Sequence, residues 1–216
     1  MAIEARRQPY IWTTWITGLL SGDKHCEWSA WFRAHYQGYD KRPETPDREN
    51  ALSQWKAEHA ELVARHAARL RDDGWSVRVE DQNKFNYRGQ AATVGGCPDV
   101  VATRDGVVTF DDAKSGKARD ADFWQVGVYA TLYPLVVKDL AELVIRGSVV
   151  YQDRDRPIEP RQIVEAKPLI VERIKRTAGA AEPRRTPSPS ECAMCDIVGC
   201  PDRIDAGVAE AEGDLF

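Results

Sequence analysis

Residues 98–114 have the sequence PDVVATRDGVVTFDDAK, in which two β-prone runs flank the pair Asp105-Gly106. An Asp-Gly pair between such runs is a strong signal for a two-residue hairpin turn. A turn of this length fixes the register of the two strands, and Asp99 then faces Asp112. The sequence therefore predicts an antiparallel hairpin that brings two carboxylates together.

These paired carboxylates have a lysine beside them. Opposite residues of an antiparallel pair have Cβ atoms roughly 5 Å apart, and two like charges at that distance require a proton or a cation between them. Lys114 follows two positions after Asp112 and lies on the same strand face. The acids can hold Mg²⁺ or Mn²⁺, and the lysine can orient a metal-activated water or neutralise a phosphate. A surface salt bridge near the end of the hairpin is the alternative interpretation.

The residues around this cluster favour a binding site. The pair Gly95-Gly96 precedes Asp99 and indicates a close approach of the backbone to a ligand. Further along, Gln125 and Tyr129 share one face of a predicted helix. Both side chains can hydrogen-bond a phosphate or a bound water.

Cysteines form a second group of candidate ligands. Cys192, Cys195 and Cys200 lie within one short segment, and a zinc ion or an iron–sulfur cluster usually takes four protein ligands. Cys26 is the candidate for the fourth, so the metal would join the two ends of the chain. Thiolates suit zinc and iron–sulfur alike. The remaining cysteine, Cys97, is expected to be a buried or half-buried free thiol.

The periodicity of the chain predicts a mixed α/β domain. Predicted helices cover about residues 11–20, 48–71, 121–137 and 163–176, and predicted strands cover about residues 75–85, 92–103, 106–113 and 143–152. The helix over 48–71 has an apolar stripe from Leu52 to Leu70 that includes Trp55, and Trp28 and Trp31 belong to a second core-facing stripe. We expect one domain over residues 1–202 and a disordered acidic tail over residues 203–216.

Composition bounds the class of protein. The chain has 216 residues and a net charge of −4, and the acidic residues after position 201 account for that charge. The body of the protein is therefore neutral, which neither supports nor excludes DNA binding. No apolar run approaches the length needed to cross a membrane, and the stretch Ile11–Leu20 lacks a signal cleavage site. We expect a cytoplasmic protein without a membrane partner.

Taken together, the motifs resemble those of the PD-(D/E)XK superfamily in its RecB-like nuclease branch. The residues that carry the resemblance are Pro98-Asp99, Asp112-Ala113-Lys114 and Gln125-x3-Tyr129. With the four cysteines added, the chain resembles the iron–sulfur members of that branch, which include CRISPR-associated RecB-type exonucleases, AddB-type helicase–nuclease subunits and phage homologues of both. The resemblance covers about residues 10–202.

This resemblance implies a restriction-endonuclease-like core, in which helices flank a small mixed sheet. It also implies a structural 4Fe–4S cluster, bound by a module of about residues 10–40 and 187–202 that joins the N- and C-terminal segments. The implied cluster ligands are Cys26, Cys192, Cys195 and Cys200. If the metal were zinc, His25 could replace one thiolate.

The resemblance further assigns roles in catalysis. It implies that Asp99 and Asp112 bind Mg²⁺ or Mn²⁺, that Lys114 is catalytic, and that Gln125 and Tyr129 support the site. The family usually adds a histidine ligand from the helix before the sheet, where both His59 and His66 are candidates. We favour His59, because the helix continues long enough beyond it to reach the first strand.

The expected function is that of a metal-dependent DNA nuclease, an exonuclease acting on single-stranded DNA or frayed ends. Proteins of CRISPR adaptation or of recombination are the partners that the resemblance suggests. The alternative is a non-catalytic cysteine-metal module that binds DNA ends or a protein.

Overall fold

The computed structural model describes residues 3–43 and 46–204. The chain has a mixed α/β fold in which helices flank more than one sheet. Of the acidic tail predicted over residues 203–216, all but the first two residues lie outside the described part of the chain. No helix of that part has an apolar stretch long enough to cross a bilayer.

The order of elements places most strands in the middle of the chain. The strands are β1 (Glu4–Ala5), β2 (Tyr10–Trp12), β3 (Tyr36–Gln37), β4 (Ser76–Val79), β5 (Phe85–Arg88), β6 (Thr93–Gly96), β7 (Val100–Arg104), β8 (Val107–Lys114), β9 (Val144–Tyr151) and β10 (Asp155–Ile158). The helices are α1 (Thr13–Ser21), α2 (Glu27–His35), α3 (Pro46–Asp72), α4 (Asp120–Val136), α5 (Pro160–Ala178) and α6 (Pro189–Met194).

The main sheet has the strand order β10-β9-β8-β7-β4, and its centre is the hairpin of β7 and β8. The predicted register of this hairpin is confirmed, because Val101 faces Phe110 across the two strands. Asp105 and Gly106 have φ angles of 48° and 79°. Two positive φ values in succession define the type I′ turn that an Asp-Gly pair favours.

Helices cover both faces of the main sheet, so β8 is buried on both sides. Phe110 and Val108 belong to a core shared with α4 and α5. Ala113, whose side chain points the other way, packs in a second core with Leu62 and Val63 of α3. Because side chains alternate along a strand, Asp112 lies on the α4 side and Asp111 on the α3 side.

Two strands predicted as continuous are interrupted. The run predicted over residues 75–85 is split by a 3₁₀ turn at Glu80–Asn83, where Glu80 has a φ of 46°. Its halves, β4 and β5, join different sheets, and β5 pairs in the order β2-β6-β5. The run predicted over residues 92–103 breaks between β6 and β7, where Pro98 has no N–H group to donate.

The predicted apolar stripe of α3 is correct only in its second half. Leu62 and Val63 are buried, whereas Leu52 and Trp55 are 40% and 47% exposed. The first half of the helix therefore extends past the sheet instead of packing on it. The predicted stripe of α2 is confirmed, because Trp28 is buried in one cluster with other apolar side chains of that helix and with Ile197.

Candidate active site

The residues predicted to carry the chemistry meet at the end of β8. There a cavity of about 470 Å³, which we call the Asp99 cavity, lies between β8, the N-terminal half of α4 and the middle of α3. Its lining includes all the predicted catalytic side chains and one of the two candidate histidines: Asp99, Asp112, Lys114, Gln125, Tyr129 and His59.

Gln125 links the charged groups of this cavity. Its amide oxygen accepts a hydrogen bond from Lys114 Nζ at 3.1 Å. Its amide nitrogen donates to Asp112 Oδ1 at 2.9 Å and to the Tyr129 hydroxyl at 3.0 Å. The i, i+4 spacing on α4 that the sequence singled out thus allows Tyr129 to orient Gln125, which in turn orients Asp112 and Lys114.

Asp99 connects the hairpin to α3. Its Oδ2 accepts a hydrogen bond from the Ala113 backbone N–H at 2.7 Å, which ties the residue to β8. Its Oδ1 lies 3.4 Å from Nε2 of His59. The hydrogen bond to Asp99 raises the pKa of the His59 imidazole, although burial acts in the opposite direction. A carboxylate and an imidazole therefore adjoin each other on one wall of the cavity.

Asp112 is the most buried charge of the cavity, with 1% of its surface exposed. Burial raises the pKa of its carboxyl to about 7, because water is removed from the charged form; the Lys114 ammonium opposes this rise and the nearby charge of Asp99 adds to it. Oδ2 of Asp112 lies 2.6 Å from Lys114 Nζ, yet it receives no well-aligned hydrogen bond. This oxygen retains capacity to bind a further cation or proton.

The donor set fits a hard divalent cation. The donors are the carboxylates of Asp99 and Asp112 and the imidazole of His59, which Mg²⁺ and Mn²⁺ accept as ligands. A bound ion would also neutralise the buried oxygen of Asp112 that receives no well-aligned hydrogen bond. The donors do not yet converge on one point. In residues 3–43 and 46–204 no three His, Cys, Asp or Glu side chains form a preassembled metal group.

The second candidate histidine lies on the other side of β8. His66 is buried, and its Nε2 is 2.7 Å from Oδ2 of Asp111. Arg69 Nη2 donates to His66 Nδ1 at 2.9 Å. This network sits between α3 and the sheet and belongs to the second core. The structure therefore brings His59, and not His66, to the Asp99 cavity.

The glycines before Asp99 serve a purpose that the sequence did not predict. A Cβ atom at Gly96 would lie 2.7 Å from Thr13 Oγ1 and from Tyr129 Cε1, and 2.8 Å from Phe85 Cε1. The close approach is thus made by the protein's own side chains rather than by a ligand. Glycine at this position allows Tyr129 to reach Gln125.

Several lining residues were not predicted, because no motif marks them. Trp55 stacks on His59 with ring centroids 5.2 Å apart, and Lys24 and Arg119 also line the cavity. The i, i+4 spacing of Trp55 and His59 is visible in the sequence. It indicates a shared helix face but not what that face covers.

The predicted cluster ligands line a separate cavity, which we call the cysteine cavity. Cys26, Cys192, Cys195 and Cys200 all border this space of about 40 Å³. Four thiols around one cavity match zinc or iron–sulfur in donor type, but they too form no preassembled metal group within the part of the chain that the structure describes. His25 is exposed and borders neither cavity.

Charged side chains hold the two parts of the cysteine cavity together. The backbone N–H groups of His25 and Cys26 donate to the two oxygens of Glu191, at 3.0 and 3.2 Å. Arg33 donates to Asp196 Oδ1 and places Nη2 3.6 Å from Cys195 Sγ. Arg33 of α2 therefore links Asp196 and the sulfur of Cys195 to the part of the chain that carries Cys26.

Cys97 lies apart from the other thiols, in the Asp99 cavity. It is half-buried, as predicted, and its Sγ donates to the Glu80 carbonyl at 3.1 Å. Burial raises the pKa of this thiol to about 11, and the charges of Asp99 and Asp81 add to the rise. The thiol is therefore held in its unreactive protonated form.

Comparisons with known proteins give little information. No protein-family model matches the chain, and no curated protein matches it. Among solved structures, the chain is similar to one described as "Crystal structure of SSO0001", with a TM-score of 0.45 and 15% sequence identity over 94% of this chain and 91% of that chain. A similarity at this level carries no argument about function.

Proposed function

We propose that the protein is a metal-dependent DNA nuclease of the PD-(D/E)XK superfamily, in its RecB-like branch. It would act as an exonuclease on single-stranded DNA or frayed ends. The observation that carries the proposal is that five predicted side chains line one cavity. These residues are Asp99, Asp112, Lys114, Gln125 and Tyr129.

In this proposal Asp99 and Asp112 hold Mg²⁺ or Mn²⁺, and His59 is the additional ligand. Such an ion, when bound, supplies an activated water and stabilises charge on a phosphate. Lys114 contributes a fixed positive charge. Burial lowers the pKa of its ammonium, but the charges of Asp112 and Asp99 outweigh burial and raise it, so the ammonium stays charged where a phosphate would enter.

Gln125 and Tyr129 act on orientation in this scheme. Gln125 contacts both Lys114 and Asp112, so it fixes the distance between the cation and the carboxylate. Tyr129 is buried, and burial raises the pKa of its hydroxyl well above the usual range. The neutral hydroxyl can therefore accept the hydrogen bond from Gln125 without adding a negative charge to the site.

The finer architecture belongs to the same proposal. The β7–β8 hairpin, with α4 on one face and α3 on the other, supports a restriction-endonuclease-like core. The four cysteines around one cavity support a structural 4Fe–4S cluster that joins the N- and C-terminal segments, with zinc as the alternative metal. Partners in CRISPR adaptation or recombination follow from the sequence resemblance alone.

A second candidate is a non-catalytic module that binds DNA ends or a protein through its cysteine-metal site. Two observations favour it. The metal donors of the Asp99 cavity do not meet at one point, and Lys114 Nζ already lies 2.6 Å from Oδ2 of Asp112. In that case the acidic residues and Lys114 would form only an internal salt bridge.

End-labelled single-stranded DNA with Mn²⁺ separates the two candidates. We expect the wild type to release nucleotides from an end and Asp99→Ala to release none. Asp105→Asn is the matched control, because it removes an exposed carboxylate of the hairpin turn and keeps a residue that tolerates positive φ. Equal digestion by wild type and Asp99→Ala, or none by either, would overturn the proposed function.

A further inference from the structure

We propose that the Asp99 cavity takes one unpaired strand of nucleic acid, with a nucleobase stacked on Trp55 and the phosphate backbone held by Lys24 and Arg119. The inference deepens the proposed function and rests on it for the identity of the ligand. It assigns the strand selectivity and a binding role to residues outside the catalytic motifs.

Trp55 offers an exposed aromatic ring on which a base can stack. It is a large apolar side chain that is 47% exposed, and it lines the Asp99 cavity. Its ring lies against His59 with an interplanar angle of 23°, so His59 supports one face of the indole. Aromatic side chains at such positions stack on bases regardless of sequence.

The position of Trp55 relative to the acidic residues sets which nucleotide it contacts. His59 lies between Trp55 and Asp99, since it stacks on Trp55 and its Nε2 is 3.4 Å from Asp99 Oδ1. A base on Trp55 is therefore one side chain away from the carboxylates. This places it beside the phosphate that the proposed chemistry would cleave.

Lys24 lies where three cavities meet. It borders the Asp99 cavity, the cysteine cavity and a third space of about 630 Å³, which also has Arg119 and Arg156 in its lining. Arg119 borders both of the larger cavities. Because the two larger cavities share Lys24 and Arg119 in their linings, we take these two cavities as one groove for the strand.

Lys24 and Arg119 are exposed to solvent in this groove. Lys24 has no ion-pair partner among the described residues, and its stem crosses α1 so closely that a Cβ atom at Gly18 would lie 2.9 Å from Lys24 Cγ. Arg119 is 67% exposed and only 3.5 Å from Asp122. Three acids border the third space. Glu191 accepts hydrogen bonds from backbone N–H groups, Asp120 lies 3.7 Å from Arg156, and Asp23 has neither kind of contact in the part of the chain that the structure describes.

An unpaired strand can contact Trp55 and the cations Lys24 and Arg119 at the same time, whereas a duplex cannot. Bases inside a duplex are stacked on each other, so their faces cannot reach a tryptophan unless they are extruded. A single strand offers a base face to Trp55 while its phosphates follow the cations. Trp55 together with Lys24 and Arg119 therefore selects an unpaired nucleotide.

The test measures binding of fluorescently labelled oligothymidine in EDTA, where no cleavage occurs. Trp55→Ala should weaken binding about tenfold, and Trp55→Phe should recover most of the loss. An abasic site scanned along the oligonucleotide should weaken wild-type binding by a similar factor at one position. At that position Trp55→Ala should lose no further affinity.

This coupling distinguishes stacking from an indirect effect on His59. If Trp55→Ala weakens base-containing and abasic oligonucleotides by the same factor, no base lies on Trp55 and the inference is overturned. Retained cleavage by the wild type in that case leaves the proposed function intact. Conversely, coupling without any cleavage supports the strand path and removes the nuclease.

The salt dependence of oligonucleotide affinity tests whether Lys24 and Arg119 contact phosphates. Lys24→Gln and Arg119→Gln should each reduce the slope of log affinity against log salt by about 0.7 for each phosphate that the variant no longer neutralises. Gly18→Ala should act like Lys24→Gln, because the new methyl group displaces the lysine stem, and Asp23→Asn should tighten binding. Arg161→Gln on α5 is the control, and an equal effect of this exposed residue would overturn the phosphate assignment.

Discussion

Lys114 Nζ lies 2.6 Å from Oδ2 of Asp112, and the carboxylate of this pair is 1% exposed. The pair is the most desolvated charge contact of the Asp99 cavity. Each partner offsets part of the other's burial cost, because a buried charge without a counter-ion is far less stable than a paired one. The same contact keeps the ammonium where the proposed chemistry needs it.

A double-mutant cycle tests this pair in the metal-free protein. Lys114→Met should lower the free energy of unfolding by about 3 kcal/mol at pH 8, because Asp112 is left buried without a cation. Asp112→Asn combined with Lys114→Met should recover most of that loss. Urea denaturation in EDTA measures both, and all these variants should be inactive on DNA.

The pH dependence of the Lys114→Met penalty has a definite sign. The pKa of Asp112 is raised to about 7 in the folded protein, so this group favours the folded state at low pH and loses that effect as pH rises through 7. Lys114→Met raises the pKa further. Its penalty should therefore be smaller at pH 6 than at pH 8, and an equal penalty at both would contradict the raised pKa.

Metal binding should be measurable as thermal stabilisation. Mn²⁺ at one hundred times its dissociation constant adds about 2.7 kcal/mol to stability, which for a chain of this size corresponds to a rise in Tm of roughly 5–10 °C. Asp99→Ala should abolish the rise and Asp105→Asn should keep it. A similar rise in Asp99→Ala would place the ion elsewhere.

Substitution of one histidine of α3 should affect DNA cleavage, and substitution of the other should affect stability. His59→Ala should reduce DNA cleavage strongly with little change in stability, because His59 borders the cavity. His66→Ala should lower stability by about 2 kcal/mol, since it leaves Oδ2 of the buried Asp111 carboxylate without its donor, while Thr109 still donates to Oδ1. Denaturation and cleavage assays on both variants check the contrast, which would be refuted by the reverse pattern.

The cysteines offer a matched pair of substitutions. In the proposed function the cysteine cavity holds a metal, so Cys26→Ser should bind less iron or zinc and have a lower Tm, because metal binding at such a site contributes to folding. Cys97→Ser should keep both. Metal analysis and visible absorbance are the measurements, and a brown protein indicates iron–sulfur whereas a colourless zinc protein indicates the alternative.

Gly96 and Gly116 test the packing behind Tyr129. Gly96→Ala should lower stability by about 1–3 kcal/mol, since the added methyl group overlaps Thr13, Phe85 and Tyr129. A Cβ atom at Gly116 meets nothing within 4 Å, so Gly116→Ala should be neutral. If the two substitutions had equal effects, the close packing would not constrain Tyr129.

The sequence predicted the hairpin and the Gln125–Tyr129 pair, because both follow from local rules. An Asp-Gly turn leaves one register available, and that register determines the side of the sheet on which Asp112 and Lys114 lie. Four residues on a helix bring two side chains to one face in any protein. These features depend on nothing far away in the chain.

Features set by tertiary packing could not be predicted in the same way. His59 and His66 are seven residues apart and share a helix face, so only the position of α3 on the sheet separates them. That position also exposes Trp55 instead of burying it. The split of residues 75–85 into β4 and β5 likewise reflects their different partners, β7 and β6.

The bond from the Cys26 backbone to Glu191 joins groups that are 165 positions apart. During synthesis on the ribosome, α2 emerges early and stays without this partner until nearly the whole protein has been made. A truncated product that stops before residue 191 would leave the indole rings of Trp28 and Trp31 only partly covered. Such incomplete chains would carry an exposed aromatic patch that chaperones and proteases recognise.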